Sequence, residues 1–473
     1  NLRMDHEAGL RTVLGPSASL ITDPEITLSY SKDQAPFAAH QAAAIVLLAK
    51  STEEVAKAVA YANVHNIPVV PRGAGSGLSG GANATSSSLV ISLEKMNKII
   101  ELDTTNLIAR VEAGVINLDL DKAAEEHSLA YLPDPASRDW STIGGNAATN
   151  AGGMCCVKYG VTSAHVRALT VVIADGQVIQ LGSATKKAVT TLDLTRLMIG
   201  SEGTLGIITK ATMRIERIPE SMEFLSYGFK NISEGIEAAR LIMTHRWRPA
   251  VIRLYDEADS AKLSSWLNLG VEGVLLVIMC DGTKELTALE SSEIVKLCEA
   301  VGGKSYGPEI GKMWWDGKYE PFKHGNIPAP PQIFGTTDTC ARFEDLEKIY
   351  WAKKKAIEEG FAEYKARYSA HFSHWFPWGG MIYDRFYIDN GPEDPQEAIA
   401  LHDRVWDAAI KASLDNGGSL NEHHGVGLKL GRFMRAQHGA AFDLLLGVKD
   451  AWDPDGILNP GKLGFGPPKN RRY

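Results

Sequence analysis

The spacing of apolar positions divides the chain into two parts with different patterns of elements. In the first part, the apolar runs Ala44–Ala49 and Ile67–Val70 flank a polar stretch from Ser51 to about His65, which predicts strand, helix and strand. Ser51 and Glu54 form a capping-box pattern at the start of that helix. A second helix is expected over 116–130. Further strands are predicted at 89–93, 98–102, 107–113, 168–174, 177–182 and 205–216, with Asp175-Gly176 as a hairpin turn.

From about Pro219 the pattern changes to longer helices that alternate with strands. Helices are predicted at 232–246, 284–301, 344–366 and 392–416. Strands are predicted near 223–229, 250–254, 273–280, 303–307, 369–374 and 380–388. The tail from 434 to 458 is predicted to be helical. Alternation of this kind is typical of an antiparallel α+β layer. We therefore predict an α+β fold divided into 1–218, 219–433 and 434–473.

Two glycine-rich stretches interrupt these patterns. The first, residues 68–81, carries Gly73, Gly75, Gly77 and Gly80 between two predicted strands. Such a loop can turn successive backbone N–H groups toward one phosphate, although a plain glycine-rich turn fits the residues equally well. No Gly-Lys-Ser/Thr closes it, and no helix is predicted after it, so it matches neither a Walker loop nor a dinucleotide-fold fingerprint. The second stretch runs from Leu132 to Gly160 and is predicted to be irregular, which usually indicates function.

The composition of the chain excludes several classes of function. A chain of 473 residues can form two or more domains with a substantial core. The net charge of −8 argues against a nucleic-acid partner. No apolar run is long enough to span a membrane, and the first residues lack the apolar core of a signal peptide. The five cysteines show no metal-binding spacing, so we expect no metal site and a reducing, cytoplasmic location.

Several motifs occur in an order that matches one family. They are Pro71–Ala82, Leu132–Ala136, Ser141–Asn146, Asn150–Gly153, Gly200–Gly206 and Asn459–Lys462. The series resembles the FAD-linked oxidases of the vanillyl-alcohol oxidase and p-cresol methylhydroxylase type, over nearly the whole chain from about residue 20. Within them it is most similar to the branch that contains glycolate oxidase, D-lactate dehydrogenase and alkyldihydroxyacetone-phosphate synthase.

The resemblance implies a fold and a cofactor. Residues 1–218 would form a two-part FAD-binding domain of the p-cresol methylhydroxylase type. Residues 219–433 would form a cap domain with an antiparallel sheet and flanking helices, and 434–473 would pack back on the FAD-binding domain. FAD would be held non-covalently, because the glycine-rich loop has no His or Cys, and the position that carries a flavin-linked Cys in one subgroup matches Trp140 or Ser141.

In the family, the first glycine-rich loop wraps the FAD pyrophosphate and the second stretch lines the isoalloxazine ring. The resemblance places Glu202 near the ribityl chain, and Ile207 and Ile208 near the adenine. The residues expected to bind FAD are Pro71, Arg72, Gly73, Ala74, Gly75, Ser76, Gly77, Leu78, Ser79, Pro133, Asp134, Ser141, Thr142, Gly144, Gly145, Asn146, Asn150, Gly152, Gly153, Glu202, Gly203, Gly206, Ile207, Ile208 and Lys462.

The substrate side is similar to two different relatives. Relatives that act on D-2-hydroxy acids carry a His-x-Gly-Asp-Gly-Asn-x-His metal element, and the matching segment from His371 to Tyr383 lacks its core and its second His. That segment is more similar to the synthase, whose catalytic tyrosine matches Tyr383. Two of the synthase's three consecutive histidines match His423 and His424, and Glu422 replaces the first. The resemblance thus implies the catalytic residues Tyr383, His423, His424, Arg253 and His374.

These residues leave three functions open. The first is an FAD-dependent oxidase or dehydrogenase that takes a hydride from a hydroxylated substrate, such as a 2-hydroxy acid or a bulky or aryl alcohol. The second is a synthase-like transferase without net redox, and the third is an inactive flavin-binding protein that works in a complex. If Trp375, Phe376 and Trp378 line the pocket, an aryl substrate is expected. Expected partners are a small-molecule substrate and O2 or another electron acceptor, and a homodimer is left open. Gly325–Gln332 is expected to be a surface loop or a lid.

Overall fold

The computed structural model describes residues 2–186, 189–190, 192–322 and 328–466. Within these ranges, none of the helices is both long and apolar enough to cross a bilayer. The five cysteines are all free thiols.

The amino-terminal part consists of short helices and two main sheets. Its helices are α1 (Leu2–Leu14), α2 (Pro24–Thr27), α3 (Thr52–Val64), α4 (Asn117–Glu125), α5 (Ile143–Thr149), α6 (Cys156–Tyr159) and α7 (Leu194–Met198). Its strands are β1 (Ser19–Ile21), β2 (Ile45–Leu48), β3 (Val69–Arg72), β4 (Leu89–Ser92), β5 (Ile99–Asp103), β6 (Ile108–Glu112), β7 (Leu129–Ala130), β8 (Val166–Val172), β9 (Val178–Gly182), β10 (Ile207–Arg214) and β11 (Glu216–Arg217).

The two sheets differ in strand direction. The first has the order β1-β2-β4-β3, and β2 and β3 both run parallel to β4. The second is antiparallel, with the order β5-β6-β10-β8-β9. The parallel pair β3 and β4 is joined by the first glycine-rich loop, so this loop leaves the carboxyl end of a parallel strand, where ligands bind in many α/β folds. Ser51 accepts a hydrogen bond from the Glu54 amide at 3.1 Å and caps α3, as predicted.

The remainder of the chain is built on one large antiparallel sheet. Its strands are β12 (Ser221–Phe229), β13 (Val251–Tyr255), β14 (Val274–Gly282), β15 (Lys304–Ser305), β16 (Ile333–Arg342), β17 (Arg367–Phe372), β18 (Trp375–Phe376) and β19 (Gly379–Ile388). Its helices are α8 (Ile232–Thr244), α9 (Glu257–Trp266), α10 (Lys284–Ala300), α11 (Glu309–Gly317), α12 (Phe343–Glu358) and α13 (Pro395–Asp415), followed by α14 (Met434–His438) and α15 (Ala441–Trp452).

The order β15-β12-β14-β13-β17-β19-β16 fixes one row of side chains across this sheet. Asp338 pairs with Tyr383, Tyr383 with His371, and His371 with Tyr255. Paired residues on neighbouring antiparallel strands point to the same face, and so do residues two positions away. Arg253, Ser373 and Met381 therefore share that face, since each lies two positions from a member of the row.

The hydrophobic residues form separate cores. One cluster joins the antiparallel sheet to α8, α12 and α13. Another lies between the two amino-terminal sheets and includes Ile457 and Leu458 from the carboxy-terminal segment. Leu458 forms a parallel bridge to Val69, so the end of the chain extends the sheet that carries the glycine-rich loop.

The structure corrects several predicted elements. The segment 132–160 is not wholly irregular, because it contains α5 and α6. Thr142 caps α5, and the small residues of α5 allow it to pack closely against Ala113. The predicted helix 116–130 ends at Glu125. The predicted helix 344–366 ends at Glu358. The tail helix is interrupted at Gly439 and ends at Trp452.

Among the elements that were not predicted are the helices α1, α7, α9 and α11 and the long strand β16. The helix α9 has hardly any amphipathic pattern, whereas α11 is amphipathic but only nine residues long. The strand β16 pairs with β19 over ten positions, although its centre is Thr-Thr-Asp-Thr. These polar side chains are buried, since Thr337 donates to Asp384 and the Thr339 hydroxyl donates to the Ser419 carbonyl at 2.7 Å. A buried strand whose polar groups pair over long sequence distances gives no apolar run to recognise.

Candidate functional site

A cavity of about 530 Å³ lies between the amino-terminal part and the large sheet. On one side it is lined by the first glycine-rich loop, the α5 region and the segment around Glu202. On the other side it is lined by the sheet face that carries Arg253, His371 and Tyr383, together with His423 and His424. The cavity therefore brings most of the predicted cofactor-binding and catalytic residues to one place.

The first glycine-rich loop lines the cavity continuously from Pro71 to Ser79. Gly75 and Gly80 have φ values of 71° and 80°, which side chains rarely adopt. Buried Asp33 accepts hydrogen bonds from the amides of Gly80 at 2.9 Å and Ala35 at 2.8 Å, and burial raises the pKa of its carboxyl to about 6. The Arg72 guanidinium donates to the Lys32 carbonyl at 2.6 Å. The loop is thus held by its own neighbours in a fixed shape.

The second glycine-rich stretch contributes small residues to the cavity wall. Thr142, Gly144, Gly145, Asn146, Gly152 and Gly153 line the cavity. A Cβ at Gly153 would lie 2.5 Å from the Asp134 backbone. At Gly152 it would lie 3.2 Å from His374 Cε1 and 3.3 Å from His423 Cβ. This close packing joins the loop directly to the histidines of the opposite wall.

The third segment supplies Glu202, Gly203, Gly206, Ile207 and Ile208 to the lining. The Glu202 carboxylate is engaged with protein: it accepts hydrogen bonds from the amides of Val426 at 3.0 Å and Gly427 at 3.1 Å. Burial raises its pKa to about 7. Ser79 donates to the carbonyls of His424 and Gly425, each at 3.0 Å. Hydrogen bonds from Ser79 and to Glu202 therefore hold the turn after His423 and His424 against the cofactor-binding side of the cavity.

Five predicted cofactor-binding residues do not line the cavity. Asp134 is buried in a cluster with Lys318 (2.9 Å), Tyr319 and Arg138 (3.7 Å), which ties the loop to the segment after α11. Pro133 lies beside it, and Ser141 is buried against the start of α5. Asn150 ends α5 and accepts a hydrogen bond from the Ser163 amide at 2.9 Å. Lys462 donates to the Asn83 carbonyl at 2.7 Å, and burial lowers its pKa to about 8.

His374 has a hydrogen-bond acceptor at both ring nitrogens. Its Nδ1 lies 2.8 Å from Glu422 Oε2, and its Nε2 lies 3.0 Å from the Gly153 carbonyl. Burial alone would lower the pKa of His374, but the Glu422 carboxylate raises it well above 6.5. A carbonyl and an ionised carboxylate can only accept hydrogen bonds, so both nitrogens of His374 carry protons. These contacts and the raised pKa both favour the imidazolium form of His374.

His423 and His424 are each backed by a carboxylate. His423 Nδ1 lies 2.8 Å from Glu422 Oε2, and His424 Nδ1 lies 2.9 Å from Asp338 Oδ1. Burial and the neighbouring His424 lower the pKa of His423. Asp338 also accepts the backbone amide of His423 at 2.7 Å, and despite its burial the two histidines lower its pKa. With Nδ1–H donated to a carboxylate, the Nε2 of a neutral histidine keeps its lone pair.

Tyr383 lies at the centre of the histidine cluster. Its ring stacks on His371 with a centroid separation of 4.6 Å, and its centroid lies 5.0 Å from that of His424. Burial raises the pKa of Tyr383 to about 12. His371 is the opposite of His374: burial and the Arg253 charge lower its pKa well below 6.5, so it is neutral.

Arg253 presents its guanidinium to the cavity from β13. Its Nε donates to the Tyr255 hydroxyl at 2.9 Å, and the guanidinium carbon lies 5.3 Å from the Trp314 ring centroid. Among the described residues that line the cavity, Arg72 and Arg253 are the ones with a Lys or Arg side chain. Since Arg72 binds backbone carbonyls, Arg253 is the cation available to an acidic ligand on this side.

The condition for an aryl-binding wall at 375–378 is not met. Trp375 is 1% exposed and packs in the core, whereas Trp378 is 51% exposed and stacks on Phe376. None of the three lines the cavity. Apolar contacts come instead from Trp140, Phe334 and Met381. Of the predicted lid, residues 325–327 lie outside the described residues, and Pro328 lines the cavity.

Two groups in the cluster also bring metal-binding atom types together. Asp338, His423 and His424 form one group, and His374, Glu422 and His423 form the other, with ligand atoms within 4.8 Å of one another. The same Nδ1 and carboxylate atoms are joined by the contacts described above, and we interpret both groups as hydrogen-bonded clusters of histidine and carboxylate. The absence of a metal stays a prediction that metal analysis can test.

Comparison with known proteins identifies the family. Residues 43–182 match the model of the FAD binding domain, and residues 218–463 match the model of the FAD linked oxidases, C-terminal domain. The chain belongs to the FAD-linked oxidases. Its cofactor is FAD, and the absence of His and Cys from the loop 71–81 is consistent with non-covalent binding.

Relatives among these FAD-linked oxidases match most of the chain's length. The chain is 30% identical to glycolate oxidase subunit GlcD of Bacillus subtilis (strain 168), with 88% of each chain covered, and 30% identical to D-lactate dehydrogenase of Anaerostipes hadrus, with 96% of each covered. It is 28% identical to alkyldihydroxyacetonephosphate synthase of Trypanosoma brucei brucei, over 90% of this chain and 74% of the relative. The solved structure of p-cresol methylhydroxylase with substrate bound superimposes with a TM-score of 0.80 at 18% identity, and the match covers 100% of this chain and 98% of the other. This similarity confirms the predicted α+β fold of the p-cresol methylhydroxylase type.

Sequence reasoning missed three polar residues of this FAD-linked oxidase site. In the sequence, Glu422 is notable only because it replaces a histidine of the synthase. Its position next to His423 was the one signal that pointed to a role in the site. Asp338 lies on the unpredicted strand β16, so nothing local pointed to it. His371 lies on β17, two positions before cavity-lining Ser373, and this alternation was the available signal.

Proposed function

We propose that this FAD-linked oxidase removes a hydride from the carbon that bears the hydroxyl group of a 2-hydroxy acid or a similar hydroxylated acid. The observation that carries the proposal is the arrangement of one cavity wall. There, a neutral histidine backed by a carboxylate, His423, lies near Tyr383 on the same wall as the guanidinium of Arg253.

The residues of the opposite wall fit FAD. The loop from Pro71 to Ser79 offers backbone amides and hydroxyls, which suit a diphosphate without needing a lysine. The glycines at 144, 145, 152 and 153 line the cavity with backbone atoms, against which a flat ring can lie. When bound, FAD supplies the acceptor for the hydride, which carries two electrons.

The proton acceptor is assigned to His423. Oxidation of an alcohol carbon requires that the hydroxyl proton leave as the hydride does, so a base must be neutral and within reach. Burial keeps His423 neutral, and Glu422 orients its ring. Its Cβ packs against Gly152, which places it next to the loop expected to line the ring. Tyr383, with a pKa of about 12, stays protonated and can donate a hydrogen bond to the substrate oxygen.

The substrate acid is assigned to Arg253. Its Nε is bound to Tyr255, which leaves the two terminal nitrogens for a carboxylate. Because Arg253 is the one free cation on this wall among the described residues, the charge suits a carboxylate with one negative charge. Phe334 and Met381 on the same face accept an apolar substituent, so we expect a substrate larger than glycolate to be favoured.

The second candidate is a transferase like alkyldihydroxyacetone-phosphate synthase. It is favoured by the contact of Tyr383 with His424, the residues that match the synthase's catalytic set. Two features weigh against it. Glu422 replaces the first histidine, and a phosphate with two negative charges would face one free guanidinium among the described lining residues.

Anaerobic mixing tests the proposal. Holoenzyme is mixed without oxygen with a panel of 2-hydroxy acids, and the flavin absorbance is followed. Bleaching by one or more acids supports the oxidation, and peroxide formed on admitting air identifies an oxidase rather than a dehydrogenase. Failure of every acid, with an adduct spectrum formed from an acyl dihydroxyacetone phosphate, would instead establish the transferase.

A further inference from the structure

One carboxylate in this cluster is shared between two histidines that differ in charge. Glu422 Oε2 lies 2.8 Å from His374 Nδ1 and also 2.8 Å from His423 Nδ1. The Glu422 side chain is 8% exposed, and the two histidines hold its pKa low despite its burial. It therefore stays ionised and can accept hydrogen bonds from both rings.

The surroundings of the two rings explain why their charges differ. His374 is fixed between Glu422 and the Gly153 carbonyl, and Cys156 from α6 lies against it, with the Cys156 sulfur accepting the Gly153 amide at 2.9 Å. His423 faces His424 and Asp338 in addition to Glu422. His371 faces both rings and is itself neutral. His374 thus has no lone pair left, whereas His423 has a free Nε2.

We propose that Glu422 is a positioning residue that holds His374 as a fixed imidazolium and His423 as the neutral proton acceptor. The assignment of His374 stands on its hydrogen bonds, whereas the role of His423 rests on the proposed oxidation. Two neighbouring titratable groups that are held in different protonation states are the usual arrangement of an acid and a base in one site. His374 is therefore excluded as the base, and its charge is directed at the loop Gly152–Gly153.

The test compares the holoenzyme with the Glu422→Gln variant. The amide of Gln keeps the size of the side chain but removes the charge. An opposite charge at this distance raises a histidine pKa by about 1–3 units. We therefore expect the His374 pKa to fall by about 1–3 units in E422Q, measured by NMR of 15N-histidine-labelled protein. The His374→Asn variant assigns the signal.

A matched control is available elsewhere in the same domain. Asp403, whose side chain is 37% exposed, lies 3.5 Å from Nδ1 of buried His402 and does not line the cavity. Asp403→Asn should leave the His374 signal and the pH profile of flavin reduction unchanged. Glu422→Asp keeps the charge and should restore the cation in part.

Kinetics give a second readout. In E422Q the anaerobic rate of flavin reduction should fall about 100-fold at its pH optimum, because His423 loses its orientation. The apparent pKa of the acidic limb should fall as well, since the carboxylate no longer favours the protonated form of His423. A purely structural role would lower the amount of folded protein and leave this pKa unchanged.

Three outcomes would overturn the inference. They are a His374 signal typical of a neutral ring in the wild type, a His374 pKa that is unchanged in E422Q, and one equivalent of bound divalent metal that E422Q loses. If no hydroxylated substrate reduces the flavin, the proposed function fails, and the NMR measurement still decides the charge of His374 independently.

Discussion

Replacement of Arg253 should weaken the binding of acidic substrates and leave the binding of neutral substrates unchanged. The guanidinium is half-buried and is held in place by the Tyr255 hydroxyl at 2.9 Å and by the Trp314 ring at 5.3 Å, so its terminal nitrogens are already oriented toward the cavity. A hydrogen bond to a charged group contributes about 1.5–3 kcal/mol. Because each 1.4 kcal/mol is a tenfold change, Arg253→Met should raise the Kd of a 2-hydroxy acid about 10–150-fold.

The assay is anaerobic flavin reduction followed over a range of substrate concentrations, which separates Kd from the rate of reduction. Arg253→Lys keeps the charge but loses the planar fork, so its effect should be intermediate. The amide of the same acid serves as a matched ligand, and its weaker binding should be insensitive to Arg253→Met. The reasoning would be refuted if the variant weakened acid and amide equally, or if it slowed reduction without changing Kd.

Three further predictions concern the packing and charge of named residues. His423→Asn should slow flavin reduction about 100-fold or more. In the wild type, the rate of flavin reduction should fall as the pH drops through a pKa below 6.5, because the neutral form of His423 is the base. A rate that rises on acidification would contradict this assignment. Gly153→Ala, whose Cβ would lie 2.5 Å from the Asp134 backbone, should lower the ratio of FAD to protein in purified enzyme, whereas Gly447→Ala, with nothing within 4 Å, should keep it. Lys353→Met removes the partner of fully buried Asp384 at 2.6 Å and should lower the free energy of unfolding by about 3–5 kcal/mol, and an unchanged Tm would show that the pair is not formed.

The cofactor side of the site could be predicted because its signals are local. The spacing of Gly73, Gly75, Gly77 and Gly80 after an apolar strand indicates a loop that presents backbone to a ligand. The structure places that loop along the cavity, between β3 and β4. Asp134 is predicted in the lining as well, yet its carboxylate pairs with Lys318 from the other part of the chain. A local motif cannot show such a distant partner.

The wall that we propose to be catalytic was predicted only in part, because it depends on strand pairing. Tyr383 and Arg253 lie on predicted strands, but the row that joins Tyr383 to Asp338 requires β16. Because the centre of β16 is polar, that strand was not predicted, and neither was the position of Asp338, whose carboxylate orients His424. The aromatic cluster at 375–378 lies away from the cavity for a related reason. Trp375 fills the core beside the sheet, since side chains alternate between the two faces.

The most direct test of the central claim uses a 2-hydroxy acid that carries deuterium on the hydroxyl-bearing carbon. If hydride leaves that carbon in the cavity between His423 and the flavin-binding loop, anaerobic bleaching should be slowed by a primary isotope effect, and Arg253→Met should raise Kd without abolishing that effect. Bleaching at the same rate with both isotopes, or no bleaching by any hydroxylated acid, would contradict the account.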